Sequence, residues 1–241
     1  MPPAVLLHTA DLHNRLSPAA AARLTALRQE QPGAILLDAG DAVAAGNLTW
    51  RSGGEPILRL MARLGYQAMA MGNRESHPSS RLLALKLRDA AFPVLAANLA
   101  SRRGHPPEPV RAHLLLEGPP RVAVIGLAPQ ITPPGSRWAR LADFVFEDPV
   151  ATAARVAAEL RPQAELVVVL SHCGLETDRL LAELPDVDLV LGGHSHRQVI
   201  EQQPPKATVV HPGWHGRLVS RTEIASRRQV TVELLPLGQD G

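Results

Sequence analysis

The sequence predicts an α/β fold in which a parallel sheet, alternating with helices, is extended by antiparallel strands towards the end of the chain. Three observations carry that prediction. Short apolar or β-branched runs alternate with amphipathic stretches through most of the chain, the pattern of a parallel sheet with crossover helices. From residue 208 onward, β-type runs follow one another without helices between them. Acidic, amide and histidine residues stand directly after the apolar runs, where the carboxyl ends of strands in an open sheet converge on one crevice.

The elements follow in order. Residues 4–8 read as a first buried strand. Ser17 supplies an N-cap and Pro18 suits a first helical turn, which begins a helix over 18–30. Residues 34–38 form a second strand, 56–64 a helix, 68–71 a third strand, 79–90 a helix and 94–96 a short strand. The Pro-, Arg- and Gly-rich stretch 100–109 reads as a surface loop. A strand over 121–127 is followed by a second loop over 131–148, marked by Pro133-Pro134-Gly135. A helix over 150–160, a strand over 166–171, a helix over 177–184 and a strand over 189–192 complete the alternating region. The tail contributes strands over 208–211, 218–225 and 229–235, with a turn at 225–228. No internal repeat or dividing linker interrupts the chain, so residues 1–241 are expected to form a single domain.

Composition narrows the function classes. A chain of 241 residues with 45% hydrophobic content can bury a full core, and with 3% aromatics that core rests on Leu, Val, Ile and Ala. The net charge of +2 and the lack of a basic run interleaved with aromatics give no face for a long nucleic acid. Lysine occurs only at Lys86 and Lys206, the other basic residues being arginine. Cys173 is the single cysteine, so an intrachain disulfide is excluded. No basic, apolar, small-residue leader opens the sequence and no stretch suits a membrane span, which leads to the expectation of a cytoplasmic protein.

The chemistry lies in five blocks: Asp11-Leu12-His13, Gly40-Asp41, Gly72-Asn73-Arg74-Glu75, Ser171-His172 and Gly193-His194-Ser195-His196. Asp, Asn and His supply the oxygen and imidazole donors that hold borderline divalent metals. Seven such side chains from five loops are more than one ion needs and suit two, and paired metals most often serve phosphoester hydrolysis. Gly40 lets the chain bend sharply before Asp41, and Gly192-Gly193 remove side chains where the backbone nears His194. Taken singly, an Asp after a strand is more often a turn or helix cap, and a His-Ser-His stretch a surface feature. Together the blocks reverse that reading.

These blocks resemble the calcineurin-like metallophosphoesterase superfamily, and within it the 5′-nucleotidase branch. The resemblance extends over nearly the whole chain. It includes His8-Thr9-Ala10-Asp11-Leu12-His13-Asn14-Arg15-Leu16, Gly65-Tyr66-Gln67-Ala68, Phe92-Pro93-Val94-Leu95-Ala96-Ala97-Asn98-Leu99 and Val122-Ala123-Val124-Ile125-Gly126-Leu127. Asp188-Leu189-Val190-Leu191-Gly192-Gly193-His194-Ser195-His196 is its strongest stretch. It implies a four-layer α/β/β/α sandwich with mixed sheets. It also implies one metal held by Asp11, His13, Asp41 and His196, and a second held by Asp41 as bridge with Asn73, His172 and His194. Manganese is the first expectation, with Fe, Zn, Co and Ni equally suited to the donors. A bridging hydroxide would then attack phosphorus in line, with Asn73 helping to hold the phosphoryl oxygens. The implied partner is a small phosphorylated substrate such as a nucleotide. Cys173, beside His172, reads as filler rather than nucleophile.

Two departures qualify the resemblance. Nucleotidases of this type read Gly-Asn-His-Glu-Phe-Asp at the third block, whereas this chain places Arg74 and His77 where the His and final Asp would stand. Arginine stays protonated and cannot act as a general acid, although it can grip a phosphate oxygen. Loss of such an acid, typically worth ~10²–10⁴-fold, matters most for poor leaving groups. Phosphodiester, pyrophosphate or activated substrates are therefore expected, and Gly-Asn-Arg-acid also resembles the sugar-nucleotide pyrophosphatases of the wider superfamily. A monoesterase using His77 or His215 as substitute acid, and a metal-bound regulatory module without turnover, are the alternatives. The second departure is the expected lack of the C-terminal nucleotide-specificity domain, which leaves Trp50, Trp138 and Trp214 as the candidates for stacking.

Overall fold

Strand β1 (Ala4–Thr9) sends Leu6 to one side and Leu7 to the other, and the two side chains enter different apolar clusters. This period-2 alternation, with both faces apolar, is what a sheet covered on both sides requires. In the computed structural model, which describes residues 3–102, 105–226 and 229–238, the same logic produces four layers.

The first sheet holds β1, β2 (Ile35–Asp38), β3 (Ala68–Ala70), β4 (Val94–Leu95) and, paired directly with β4, β6 (Val110–Arg111). These strands run parallel. The ribbon pairs β5 (Leu99–Ser101) with β9 (Phe144–Phe146). The second sheet is built on β7 (His113–Leu116), β8 (Val122–Leu127), β10 (Leu166–Ser171), β11 (Leu189–Gly192), β12 (Gln198–Glu201) and β13 (Thr208–Pro212). β8, β10, β11 and β13 are parallel, and β7 and β12 cap the edges antiparallel. The tail strands β14 (Leu218–Ser226) and β15 (Gln229–Pro236) return to the first sheet, where β14 pairs antiparallel with β1.

Helices α1 (Pro18–Glu30), α2 (Pro56–Leu64) and α3 (Ser80–Leu87) cover the outer face of the first sheet, placing Leu24, Met61 and Leu83 against Leu7 and Met69. Helices α4 (Pro149–Leu160) and α5 (Leu175–Leu181) cover the second, where Val156 and Leu181 meet Val167 and Val169. Between the sheets lies a third cluster, with Leu6, Leu37 and Leu95 facing Val124, Val168 and Leu191. The sheets approach so closely at Gly126 that an added Cβ would lie 2.5 Å from the backbone carbonyl of Leu95. The mixed-sheet α/β/β/α sandwich is thus formed, and no helix among the described residues is long and apolar enough to cross a membrane.

Some expected boundaries move. The stretch 131–148 is not a continuous loop, because it carries a short 3₁₀ turn at Trp138–Arg140 and strand β9. The 100–109 loop begins inside β5, and the helix expected at 177–184 starts two residues earlier, at Leu175. The expected turn at 225–228 includes Arg227 and Arg228, which lie outside the described residues. Strands β5, β6, β7, β9 and β12 were not predicted, since runs this short or this exposed show little periodicity.

Candidate metal centre

The strand ends deliver the five blocks to one place. The segment after β1 lies alongside the segment after β2: the amides of Asp11, His13 and Asn14 donate to the carbonyls of Gly40, Asp41 and Ala42, at 2.9, 2.9 and 2.7 Å. Gly40 has φ +97°, and a Cβ there would fall within 3.0 Å of Gly72, Ala70 and His172. Asp11, His13, Asn14, Asp41, His194, His196 and His215 all adopt left-handed φ of 47–69°. For residues other than glycine this conformation is uncommon and concentrates at functional sites. Five of the seven predicted ligands are among them.

The side chains form two overlapping sets. Asp11, His13 and His196 bring donor atoms together, as do Asp11, Asp41 and His172, with the atoms of each set within 4.8 Å of one another. Asp11 Oδ1 lies 3.2 Å from His196 Nε2, 3.7 Å from His13 Nε2 and 3.9 Å from His172 Nε2. Asp41 faces a member of each set, with Oδ2 3.6 Å from His13 Nε2 and Oδ1 3.4 Å from His172 Nε2. The shared residue of the two sets is Asp11, while Asp41 spans between them. The His194 ring packs 5.0 Å from that of His172, and its backbone amide donates to Asp11 Oδ2. Asn73 donates from Nδ2 to Asn47 at 3.4 Å.

Whether these residues fit a metal can be judged from hydrogen bonds left unmade. Asp11 Oδ1, His13 Nε2, Asn73 Oδ1 and His172 Nε2 are buried and have no hydrogen-bond partner. Four of the eight buried side-chain atoms without a partner among the described residues are thus predicted donors gathered at one place, an arrangement that suits cations. His172 Nδ1 donates to the Ala39 carbonyl at 2.7 Å, which leaves Nε2 available to a metal. In the metal-free protein, protons take the cations' place. The flanking carboxylates of Asp11 and Asp41 raise His13 to about 9. Burial opposes protonation of His172, but the Asp41 carboxylate 3.4 Å away and the acidic surroundings still raise it to about 9. Asp41 is held well below the usual carboxylate range, since the imidazoles of His13 and His172 beside it outweigh the upward push of burial.

The third block does more than its ligand. Glu75, fully buried, accepts from the amides of Asp41 at 2.8 Å, Gly72 at 2.9 Å and Val43 at 3.1 Å, tying the loops after β2 and β3 together. Arg74 donates its amide to Asp41 Oδ1 and its guanidinium to Ala44 O, with Nε 3.8 Å from Asp41 Oδ2. His77 lies in the wall of a neighbouring cavity, its Nδ1 accepting from the Ser79 amide at 3.0 Å. Burial, then Lys86, lowers its pKa. His215 is nearer the ligands, with its ring 5.3 Å from that of His13 and its amide donating to Asp11 O. Trp214 stacks on His196 at 5.9 Å and carries the Arg217 guanidinium over its ring, 4.7 Å from the centroid, whereas Trp138 borders the cavity beside His77.

Sequence reasoning missed a buried chain behind the fifth block. Ser195 Oγ bonds His211 Nδ1 at 3.0 Å, and His211 Nε2 bonds Asp178 Oδ2 at 2.8 Å. Its members come from the loop after β11, from β13 and from α5, so no local spacing betrays it. Glu75 was visible within its block, but three backbone acceptor bonds leave no periodic trace.

Residues 4–198 match the family model described as calcineurin-like phosphoesterase. The 5′-nucleotidase of Rattus norvegicus is 30% identical over 234 residues, covering 85% of this chain and 40% of that protein. The 5′-nucleotidase of Vibrio cholerae is 29% identical over 227 residues, covering 83% and 41%. The chain therefore spans about 40% of the length of these curated relatives. A 5′-nucleotidase precursor from Thermus thermophilus superposes with a TM-score of 0.80 at 24% identity, over 97% of this chain and 54% of the other, a likeness of fold.

Proposed function

The chain belongs to the calcineurin-like phosphoesterase family, and on that premise we propose that it hydrolyses phosphoester bonds at a centre of two divalent cations. Four buried, unpartnered donor atoms on Asp11, His13, Asn73 and His172 carry this reading. Asp11, His13, Asp41 and His196 would hold one cation, and Asp41, Asn73, His172 and His194 the other. Bound cations supply Lewis acidity towards phosphoryl oxygens and lower the pKa of water.

The chain's own residues then set the substrate preference. The Arg74 guanidinium, beside Asp41, offers charged donors to a phosphoryl oxygen and cannot release a proton at working pH. His77 has its Nδ1 committed to the Ser79 amide and stands in the adjoining cavity wall. With no acid held at the leaving oxygen, diesters, pyrophosphates and activated esters are the better substrates. A monoesterase reading rests on a different observation, the His215 ring facing His13.

The test is hydrolysis of bis(p-nitrophenyl) phosphate, p-nitrophenyl phosphate and AMP by manganese-loaded protein, with metal content measured in parallel. Two manganese ions per chain and preference for the diester, both lost in Asp41→Asn, are expected. Rapid AMP hydrolysis lost in His215→Ala would transfer the reading to a monoesterase. Metal uptake without turnover on any substrate would sink the hydrolytic reading.

A further inference from the structure

Beside the metal centre lies a cavity of about 380 Å³ that the hydrolytic chemistry does not use. Three segments wall it: Asn47 and Leu48 after β2, Ser76–Pro78 after β3, and the stretch from Ile131 to Phe146. Its lining is largely apolar, with Leu48, Ile131, Trp138, Leu141, Phe144 and Phe146 contributing. Leu48, Trp138 and Leu141 are 75, 74 and 80% exposed, three of the six exposed large hydrophobics among the described residues, and they share one rim. A clustered apolar rim of this kind marks a binding surface rather than ordinary surface. Two polar wall residues connect it to the centre: Asn47 Oδ1 accepts from Asn73 Nδ2 at 3.4 Å, and Ser76 Oγ donates to Asn73 O at 2.8 Å. Lys86, buried beneath, fixes the wall by donating to Gly46 O and Ser76 O at 2.7 and 3.1 Å.

We infer that this cavity is a substrate subsite that takes an apolar group, aryl or short alkyl, carried by the phosphoester whose phosphorus sits at Asn73. The inference rests on the hydrolytic reading above and specifies its substrate class. The volume falls within the roughly 300–1,000 Å³ of small-molecule sites. Few hydrogen-bonding groups line the wall, so the subsite selects by apolar burial and not by base-edge or sugar recognition. Two of its wall residues, Asn47 and Ser76, hydrogen-bond Asn73, and this adjacency assigns the cavity to a group carried by the substrate instead of a separate ligand or a second copy of the chain.

Calorimetric titration of manganese-loaded protein with benzylphosphonate and methylphosphonate tests this, independently of turnover. Benzylphosphonate is expected to bind roughly tenfold or more tightly than methylphosphonate, as burial of a ring would give. Leu48→Arg and Leu141→Arg, substitutions at exposed positions that leave the core intact, should remove that advantage while methylphosphonate binding stays unchanged. Equal binding of the two phosphonates, or binding of neither, overturns the subsite whatever the enzyme hydrolyses. A native dimer that Leu141→Arg dissociates, without a benzyl preference, also overturns it and assigns the rim to a second copy. A benzyl preference lost in both variants, on a protein that hydrolyses no ester, upholds the subsite and removes the hydrolytic reading.

Discussion

At the residue scale, the candidate centre gathers buried polar groups whose cost a bound cation would offset. Asp11, Asp41, His194 and His196 hold left-handed backbone, and four donor atoms are buried without partners. His172→Ala should therefore abolish the second metal and lower turnover by at least about 10²-fold, measured by metal content and diester kinetics. Asp38 gives a pH signature outside the ligand set. It is fully buried, accepts from Thr9 Oγ1 at 2.6 Å and from Gly40 N at 2.8 Å, and burial pushes its carboxyl up to about 8. Between the ordinary value near ~4 and that point, the folded protein keeps a proton that the unfolded chain has released. Its stabilising contribution is full below the unfolded value and is lost as pH rises through about 8. The melting temperature of metal-free native protein should thus fall across this window more steeply than that of Asp38→Asn. Cys173, half-buried with its thiol on the Ala128 carbonyl, should be replaceable by alanine with diester turnover retained.

At the element scale, local signals were trustworthy where backbone and side chain agreed. Ser17 caps α1 by accepting from the Ala20 amide at 3.1 Å, and Pro18 occupies the first turn, as the sequence indicated. Ser17→Ala should cost about 1 kcal/mol in denaturant unfolding. β10 and β11 fall where their apolar runs end, because a strand buried on both faces leaves a continuous hydrophobic record. β9 was illegible for the opposite reason. Its three residues sit in a Pro- and Gly-punctuated stretch and become a strand only through pairing with β5. Gly126 belongs to this scale as well, since the sheets touch there. Gly126→Ala should destabilise by roughly 3 kcal/mol or more, read from the same denaturant curves.

At the scale of the whole molecule, fold and centre are coupled through the strand ends. The candidate ligands come from segments following β1, β2, β3, β10 and β11, drawn from both sheets, so a cation bound among them would tie the layers together. Manganese at a concentration of about 100 Kd should raise the melting temperature by roughly 5–10 °C, and a chelator should reverse the shift. A melting point indifferent to metal would contradict a centre shared between the sheets.

The sequence alone determined the α/β class, the order of the principal strands and helices, and the five blocks that the fold brings to one place. These follow from periodicity and from chemistry repeated at strand ends, both of which are written locally. Tertiary structure decided the rest. It set which donor atoms stay unpartnered, how Asp41 comes to span the two ligand sets, and how Glu75 and the Ser195–His211–Asp178 chain brace the loops. It also placed His77 in a cavity wall rather than among the ligands. Each of these depends on distances between residues remote in sequence or on backbone groups without side-chain identity, and no local pattern encodes either.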